Sequence, residues 1–235
     1  MTRPVQPVAL ITGAGSGIGR AAAVEMADRG WRLALAGRRR GLLEETAELA
    51  DTECAVVAGD VAREDDCRAM IAAAAEGLGR LDALVNNAGW APHLPIDQST
   101  PEIIAGAFAV NAIGPAILIH LAWPIFTRQK SGVIVNVSSL ATQDPFEGFF
   151  AYAAAKSAVN SMTRSCAKEG APHGIKAFAM GPGAVETPML RGIFGDSIPP
   201  ENCLAPEVIA KVIAECICGE REGENGSVIW MVAGG

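Results

Sequence analysis

The feature that constrains this chain most is a rhythm of short apolar runs. They occupy 8–11, 33–36, 55–58, 83–85, 133–137, 177–180 and 228–232, and none holds a charged residue. Runs of this length, rich in Val, Leu, Ile and Ala, suit strands buried on both faces. Between them lie stretches of helical length at 18–29, 42–49, 65–76, 101–126, 152–169 and 206–218. Strands alternating with helices require crossover connections and so predict a parallel sheet with helices on both faces. In such a sheet ligands bind beyond the carboxyl ends of the strands, where the strand order reverses.

Composition agrees with a packed domain. Half of the 235 residues are hydrophobic and 19% are charged, which leaves little room for disorder. No linker, repeat or low-complexity segment divides the chain, so one domain over 1–235 is expected. The net charge of -7 argues against a general nucleic-acid or anionic-membrane binder. Six cysteines form no CxxC pair and no zinc-finger spacing with histidine, which points to reduced thiols, a cytoplasmic location and no metal. Arg3 and the short run 8–11 do not make a signal peptide. The uncharged stretch 103–126 is long enough to span a bilayer, but Asn111, His120, Pro115 and Pro124 favour a long helix covered by protein on most sides.

The first apolar run leads into Thr12-Gly13-Ala14-Gly15-Ser16-Gly17-Ile18-Gly19 and then a helix. Its glycines are spaced GxxxGxG rather than GxGxxG. A plain turn would look similar, but the position between strand and helix favours a loop that brings backbone close to a pyrophosphate at a helix N-terminus. After the second run stands Gly37-Arg38-Arg39-Arg40, where an NAD site would carry a carboxylate for the ribose 2'-hydroxyl. Arg38 and Arg39 fit a 2'-phosphate instead, or form a solvated basic turn.

Tyr152, the single tyrosine, and Lys156 sit four apart at the start of a predicted helix and so share one face. A phenol titrates near ~10, and lowering it to about 7 takes ~4 kcal/mol. An ammonium about 4 Å away supplies roughly that at an effective dielectric of ~20. The pair is thus of the right kind for acid/base work, although a solvated helix pair has the same spacing. Ser139 follows the fifth run, thirteen residues before Tyr152, where a hydroxyl suits a substrate oxygen or simply caps a strand end. No G-x-S-x-G surrounds it, and His93, His120 and His173 read as structural or surface residues.

On these residues the chain resembles the short-chain dehydrogenase/reductase family in its compact form, from about Val8 to Gly235. The resemblance implies a Rossmann-like, doubly wound, seven-stranded sheet and NAD(P)-dependent exchange of a hydride between nicotinamide and a ketone or secondary alcohol. NADP is favoured by Arg38 and Arg39, with NAD possible. It assigns the cofactor loop to Thr12, Gly13, Gly15, Ser16, Gly17, Ile18 and Gly19. Asp60 and Val61 would meet the adenine, and Asn87, Ala88 and Gly89 would line the cleft. Asn111, Ser139, Tyr152 and Lys156 take the catalytic positions, with Asn111 at a helix kink that holds a water against Lys156. Pro182, Gly183, Val185 and Thr187 fall on the loop that meets the nicotinamide.

Some residues depart from the pattern. Ser16 stands where NADP-using relatives often carry a basic residue, and Met180-Gly181 precedes Pro182 in place of Val-Asn. A short segment 189–204, with Pro199-Pro200, and an end at Ala233-Gly234-Gly235 imply a more open substrate cleft. Phe146, Phe149, Phe150 and Phe194 suggest an apolar guest, or loops packing on themselves. The resemblance also implies a homodimer or homotetramer paired through 101–126 and 152–169. A non-catalytic dinucleotide-binding sensor or scaffold on the same fold is the alternative function.

Overall fold

The computed structural model describes residues 6–234, the Glu222 side chain excepted; Arg3 and Gly235 lie outside them. The elements run β1 Val8–Thr12, α1 Gly17–Asp28, β2 Arg32–Gly37, α2 Arg40–Ala50, β3 Cys54–Ala58, α3 Glu64–Ala72 and β4 Ala83–Asn86. They continue as α4 Pro101–Phe108, α5 Gly114–Gln129, β5 Gly132–Val137, α6 Phe150–Gly170, β6 Ile175–Pro182, α7 Pro188–Phe194, α8 Pro206–Ile217 and β7 Val228–Met231. Each expected strand is present, its ends displaced by no more than two residues. The helix expected at 65–76 is α3 followed by a wider π turn, Ala73–Gly77.

The seven strands form one parallel sheet in the order β3-β2-β1-β4-β5-β6-β7. Successive strand residues point to opposite faces, and the core divides accordingly. Ala9, Ile11, Leu33, Leu35, Val85 and Phe178 pack under α1, α2 and α8. Val8, Leu10, Ala34, Leu84, Ile134 and Ala177 pack under α3, α5 and α6. Phe126 of α5 is wholly buried in the second layer, a burial that contributes about 1.5–3 kcal/mol. The order reverses between β1 and β4, so the loops after these two strands open a crevice at the carboxyl edge.

The long helix expected over 101–126 is broken by a π turn at Ala109–Ile113, with Asn111 at its centre. Thr100 caps its start by accepting from the Ile103 amide, and Pro101 occupies the first turn. The stretch Pro101–Gln129 is long and apolar enough to cross a membrane by length and composition, and 39% of its most apolar window is buried inside the chain. Cover on most sides was expected; here only one face is covered. The outer face, with α6, borders an apolar depression lined by Phe108, Ile113, Ile117, His120 and Met162.

Candidate active site

The turn after β1 is shaped by what glycine alone permits. Gly13 and Gly17 have φ of 66° and 52°, a region that side chains disfavour. At Gly19 a Cβ would lie 2.3 Å from the Gly13 carbonyl and 2.4 Å from Asn87 Nδ2, so α1 presses directly on the turn. The turn's carbonyls are occupied from within. Asn87 Nδ2 donates to Thr12 O at 2.8 Å and Gly13 O at 3.3 Å. The Thr46 hydroxyl donates to Ala14 O at 3.0 Å, and Arg20 donates to Gly15 O at 2.8 Å. Thr12 Oγ1 accepts from the amides of Asn87 and Ala88, each at 3.0 Å, and donates to Val85 O.

With the carbonyls held inward, the amides at the start of α1 keep no intrahelical acceptor. Ser16, at the N-cap, makes no side-chain cap bond. A close-packed glycine turn at a helix N-terminus fits the pyrophosphate of a dinucleotide. Arg20 and Thr46 were not singled out in the sequence. A basic residue one position past the last glycine is a usable signal for Arg20, whereas Thr46 is brought in by α2 and has none.

At the end of β2, Arg38 and Arg39 are exposed, and among the described residues their side chains enter no ion pair or hydrogen bond. Asp60, after β3, accepts from the Ala62 amide at 3.0 Å, and its own amide donates to Asp66 at 2.8 Å. Val61 is buried, and its carbonyl accepts from the Cys67 thiol.

Deeper in the crevice the structure brings the expected catalytic residues together. The Ser139 hydroxyl is near enough to the Tyr152 phenol to pull its titration down, and Ser139 Oγ accepts from the Ala141 amide at 3.2 Å. The Lys156 ammonium lies 5.8 Å from the centre of the Tyr152 ring and donates to Val137 O at 2.6 Å. A Cβ on Gly89 would sit 3.2 Å from Asn111 Oδ1 and 3.8 Å from Lys156 Nζ, so these three positions share one small space. Asn111 ties the loop after β4 to the π turn. It donates to Trp90 O at 2.6 Å and Ala107 O at 2.8 Å, and accepts from the Trp90 amide at 3.1 Å. The expected kink is therefore a π turn, a distortion common at functional sites.

The electrostatic expectation for Tyr152 needs correcting. Burial pushes its phenol above the ordinary value, and the Ser139 hydrogen bond pulls it back only in part. Burial pushes Lys156 itself down to about 8, and its ammonium is engaged by a carbonyl.

Pro182 ends β6, and the loop that follows carries Gly183, Val185 and Thr187. Val185 is buried, bridges to Leu204 and belongs to the core under α8. Thr187 caps α7, accepting from the Leu190 amide at 3.2 Å, and its methyl would lie 2.9 Å from a Cβ on Gly17. The two loops thus face each other across the crevice. Gly181 lies against the Trp230 ring, 2.3 Å from where its Cβ would be, so this turn is held by packing.

The first part of the 189–204 segment lies in α7, and Phe194 at its end packs on His93 at 5.3 Å and on Phe149 at 5.9 Å between ring centres. Phe149 in turn packs on Tyr152 at 5.4 Å. His93, read from the sequence as structural or on the surface, is exposed yet belongs to this aromatic wall beside Tyr152. His120 and His173 are exposed and remote from it.

Comparison with known proteins agrees with this geometry. The sequence pattern described as short chain dehydrogenase matches residues 7–197. An uncharacterised oxidoreductase of Thermotoga maritima is 36% identical over 238 residues, covering 94% of each chain. The structure of a 3-ketoacyl-(acyl-carrier-protein) reductase from Brucella melitensis complexed with NADH superposes with a TM-score of 0.89 at 31% identity, covering 98% of this chain and 99% of that one. A tryptophan variant of actinorhodin polyketide ketoreductase with NADPH gives a TM-score of 0.91 at 26% identity, covering 100% of this chain and 98% of that one.

Proposed function

The chain belongs to the short chain dehydrogenase family, whose chemistry is nicotinamide-dependent oxidoreduction, and from that premise we propose that it is a carbonyl reductase or alcohol dehydrogenase. One observation carries the reading: the Lys156 ammonium lies 5.8 Å from the centre of the Tyr152 ring, with the Ser139 hydroxyl beside the phenol, at the carboxyl edge of the sheet.

The cofactor reading rests on the glycine turn, Asp60, Val61, the Asn87–Ala88–Gly89 segment and the Pro182–Thr187 loop. When bound, the nicotinamide supplies or accepts the hydride. Arg38 and Arg39, exposed and without ionic partners, favour NADP through a fork on the 2'-phosphate. NAD remains the competing cofactor. Of the related structures, one holds NADH and another NADPH, which supports a nicotinamide dinucleotide here without choosing between the two.

In the proposed mechanism Ser139 and Tyr152 both reach the substrate oxygen. Ser139 donates a hydrogen bond that favours negative charge there. Tyr152 gives its proton to that oxygen during reduction and takes it back during oxidation. A phenol held high by burial stays protonated at neutral pH. That is the form the reductive direction needs, since an alkoxide is a far stronger base than a phenolate. Lys156 would help hold the cofactor, and its ammonium, where protonated, would place positive charge near the phenol. Asn111, through the π turn, keeps the loop after β4 against the site.

The remaining readings follow from composition and surface. One domain serves cofactor and substrate, and the substrate is a small carbonyl or alcohol compound rather than a nucleic acid or a membrane. The apolar face shared by α4, α5 and α6 is where a second copy would pair, giving a homodimer or homotetramer. Six free cysteines suit a cytoplasmic protein.

The test is turnover of a panel of neutral ketones and secondary alcohols with NADPH and NADH, alongside direct measurement of cofactor binding. Turnover of at least one ketone or alcohol supports the reading. Tight cofactor binding with no turnover of any of them contradicts it and favours a dinucleotide sensor.

A further inference from the structure

The wall beside Tyr152 is apolar and continuous. Phe149 is almost wholly buried between Tyr152, His93 and Phe194, and Ala91 and Ile193 complete the cluster. His93 is anchored through Nε2 to the Glu147 carbonyl at 3.1 Å. The segments that frame this wall, 90–98, 139–150 and 186–204, carry charges almost entirely of one sign. They hold Asp97, Asp144, Glu147, Glu186, Asp196 and Glu201 against Arg191 alone.

Arg191 is not available to a ligand. Its guanidinium forks onto the Glu186 carboxylate, with Nε at 2.7 Å, and Nη1 donates to Gly195 O and Ile198 O at 2.7 Å each. The other nearby cation, Lys156, is buried and bonded to Val137 O. Asp97, Asp144, Glu147, Asp196 and Glu201 are all exposed. The exposed cations Arg38 and Arg39 instead stand at the end of β2, on the other side of the glycine turn.

Resting on the oxidoreductase reading above, we propose that the substrate is an electrically neutral, apolar carbonyl or alcohol compound, and that the site discriminates against carbonyl compounds carrying a carboxylate, sulfonate or phosphate. An anionic group entering beside this wall finds no free cation to pair with, loses hydration against aromatic rings, and meets acidic side chains around the opening. Like-charge juxtaposition of this kind is an established route to specificity. A neutral compound forgoes nothing there and gains the apolar contact.

The experiment takes the neutral ketone that the panel above turns over best, and compares its ω-carboxylate with its ω-carboxamide as a neutral polar control. The measurement is kcat/KM with saturating cofactor, at low and at high sodium chloride. The expected result is a carboxamide within a few-fold of the parent and a carboxylate about tenfold or more below it at low salt, the gap narrowing as salt rises. The paired variant Asp144→Asn with Glu147→Gln, on the exposed loop, should raise the carboxylate's kcat/KM several-fold and leave the neutral ketone unchanged. A carboxylate handled as well as the carboxamide, activity confined to anionic ketones, or a ratio unmoved by both salt and the paired variant would overturn the proposal. Absence of turnover with every carbonyl compound, despite bound cofactor, would instead refute the oxidoreductase reading itself.

Discussion

Lys156 stands 5.8 Å from the centre of the Tyr152 ring, yet its ammonium donates to the Val137 carbonyl. The two groups are neighbours whose titrations are pushed in opposite directions, the phenol up and the ammonium down to about 8, both by burial. Each is thereby biased toward its neutral form. This relationship has consequences that can be measured separately for proton transfer and for cofactor binding.

The first concerns pH and direction. Reduction needs the protonated phenol, which burial preserves well past neutrality, so the reductive kcat should be flat from about pH 6 to 8. Oxidation needs the phenolate and should climb with pH across the same interval. Ser139→Ala removes the bond that lowers the phenol, so the oxidative profile should move to higher pH as well as fall in amplitude. An oxidative profile that stays in place would show that Ser139 has no hold on the Tyr152 proton.

The second concerns Lys156. In the free protein its ammonium loses its proton near pH 8, and contact with a bound dinucleotide favours the charged form and raises that value. Binding at about pH 8.5 should therefore take up protons, while binding at pH 6.5, where the ammonium is already formed, should not. Calorimetry in buffers of different ionisation enthalpy reads this directly. Uptake at pH 8.5 should vanish in Lys156→Met; unchanged uptake in that variant would assign the proton elsewhere.

The third concerns cofactor choice. Arg38→Ala should weaken NADPH binding about ten- to a hundredfold, the range for losing a charge-assisted hydrogen bond, and change NADH binding little. Equal losses for both cofactors, measured by fluorescence titration, would remove the phosphate clamp from the account.

The fourth concerns the glycine turn. A Cβ at position 19 would lie 2.3 Å from Gly13 O, so Gly19→Ala should cost about 1–3 kcal/mol of stability and more than tenfold in dinucleotide affinity. Gly41→Ala, in α2, where a Cβ meets nothing within 4 Å, is the control and should leave affinity unchanged and stability equal or slightly higher. Thermal melts and binding titrations of the two variants provide the comparison.

Strand positions were legible in the sequence because strands buried on both faces are largely apolar, as in 8–11 and 33–36. The GxxxGxG turn was legible because positive φ and close approach demand glycine at Gly13, Gly17 and Gly19. What the sequence withheld was long-range packing. Nothing local to Phe194 announces that it will close on His93, about a hundred residues earlier in the chain, and on Phe149. Nor does the YxxxK spacing reveal that burial outweighs the lysine's charge, since burial depends on the loops folded over Tyr152. The π turn at Asn111 was anticipated only as a kink, its form being set by the Trp90 loop that Asn111 binds.

The most direct test of the account is Tyr152→Phe, a change that removes one oxygen and, in a chain with a single tyrosine, no other phenol. Ketone reduction and cofactor binding are to be measured on the same preparation. The account predicts cofactor affinity within a few-fold of the parent and loss of nearly all turnover. Turnover close to that of the parent, with cofactor bound normally, would contradict the assignment of Tyr152 as the proton donor.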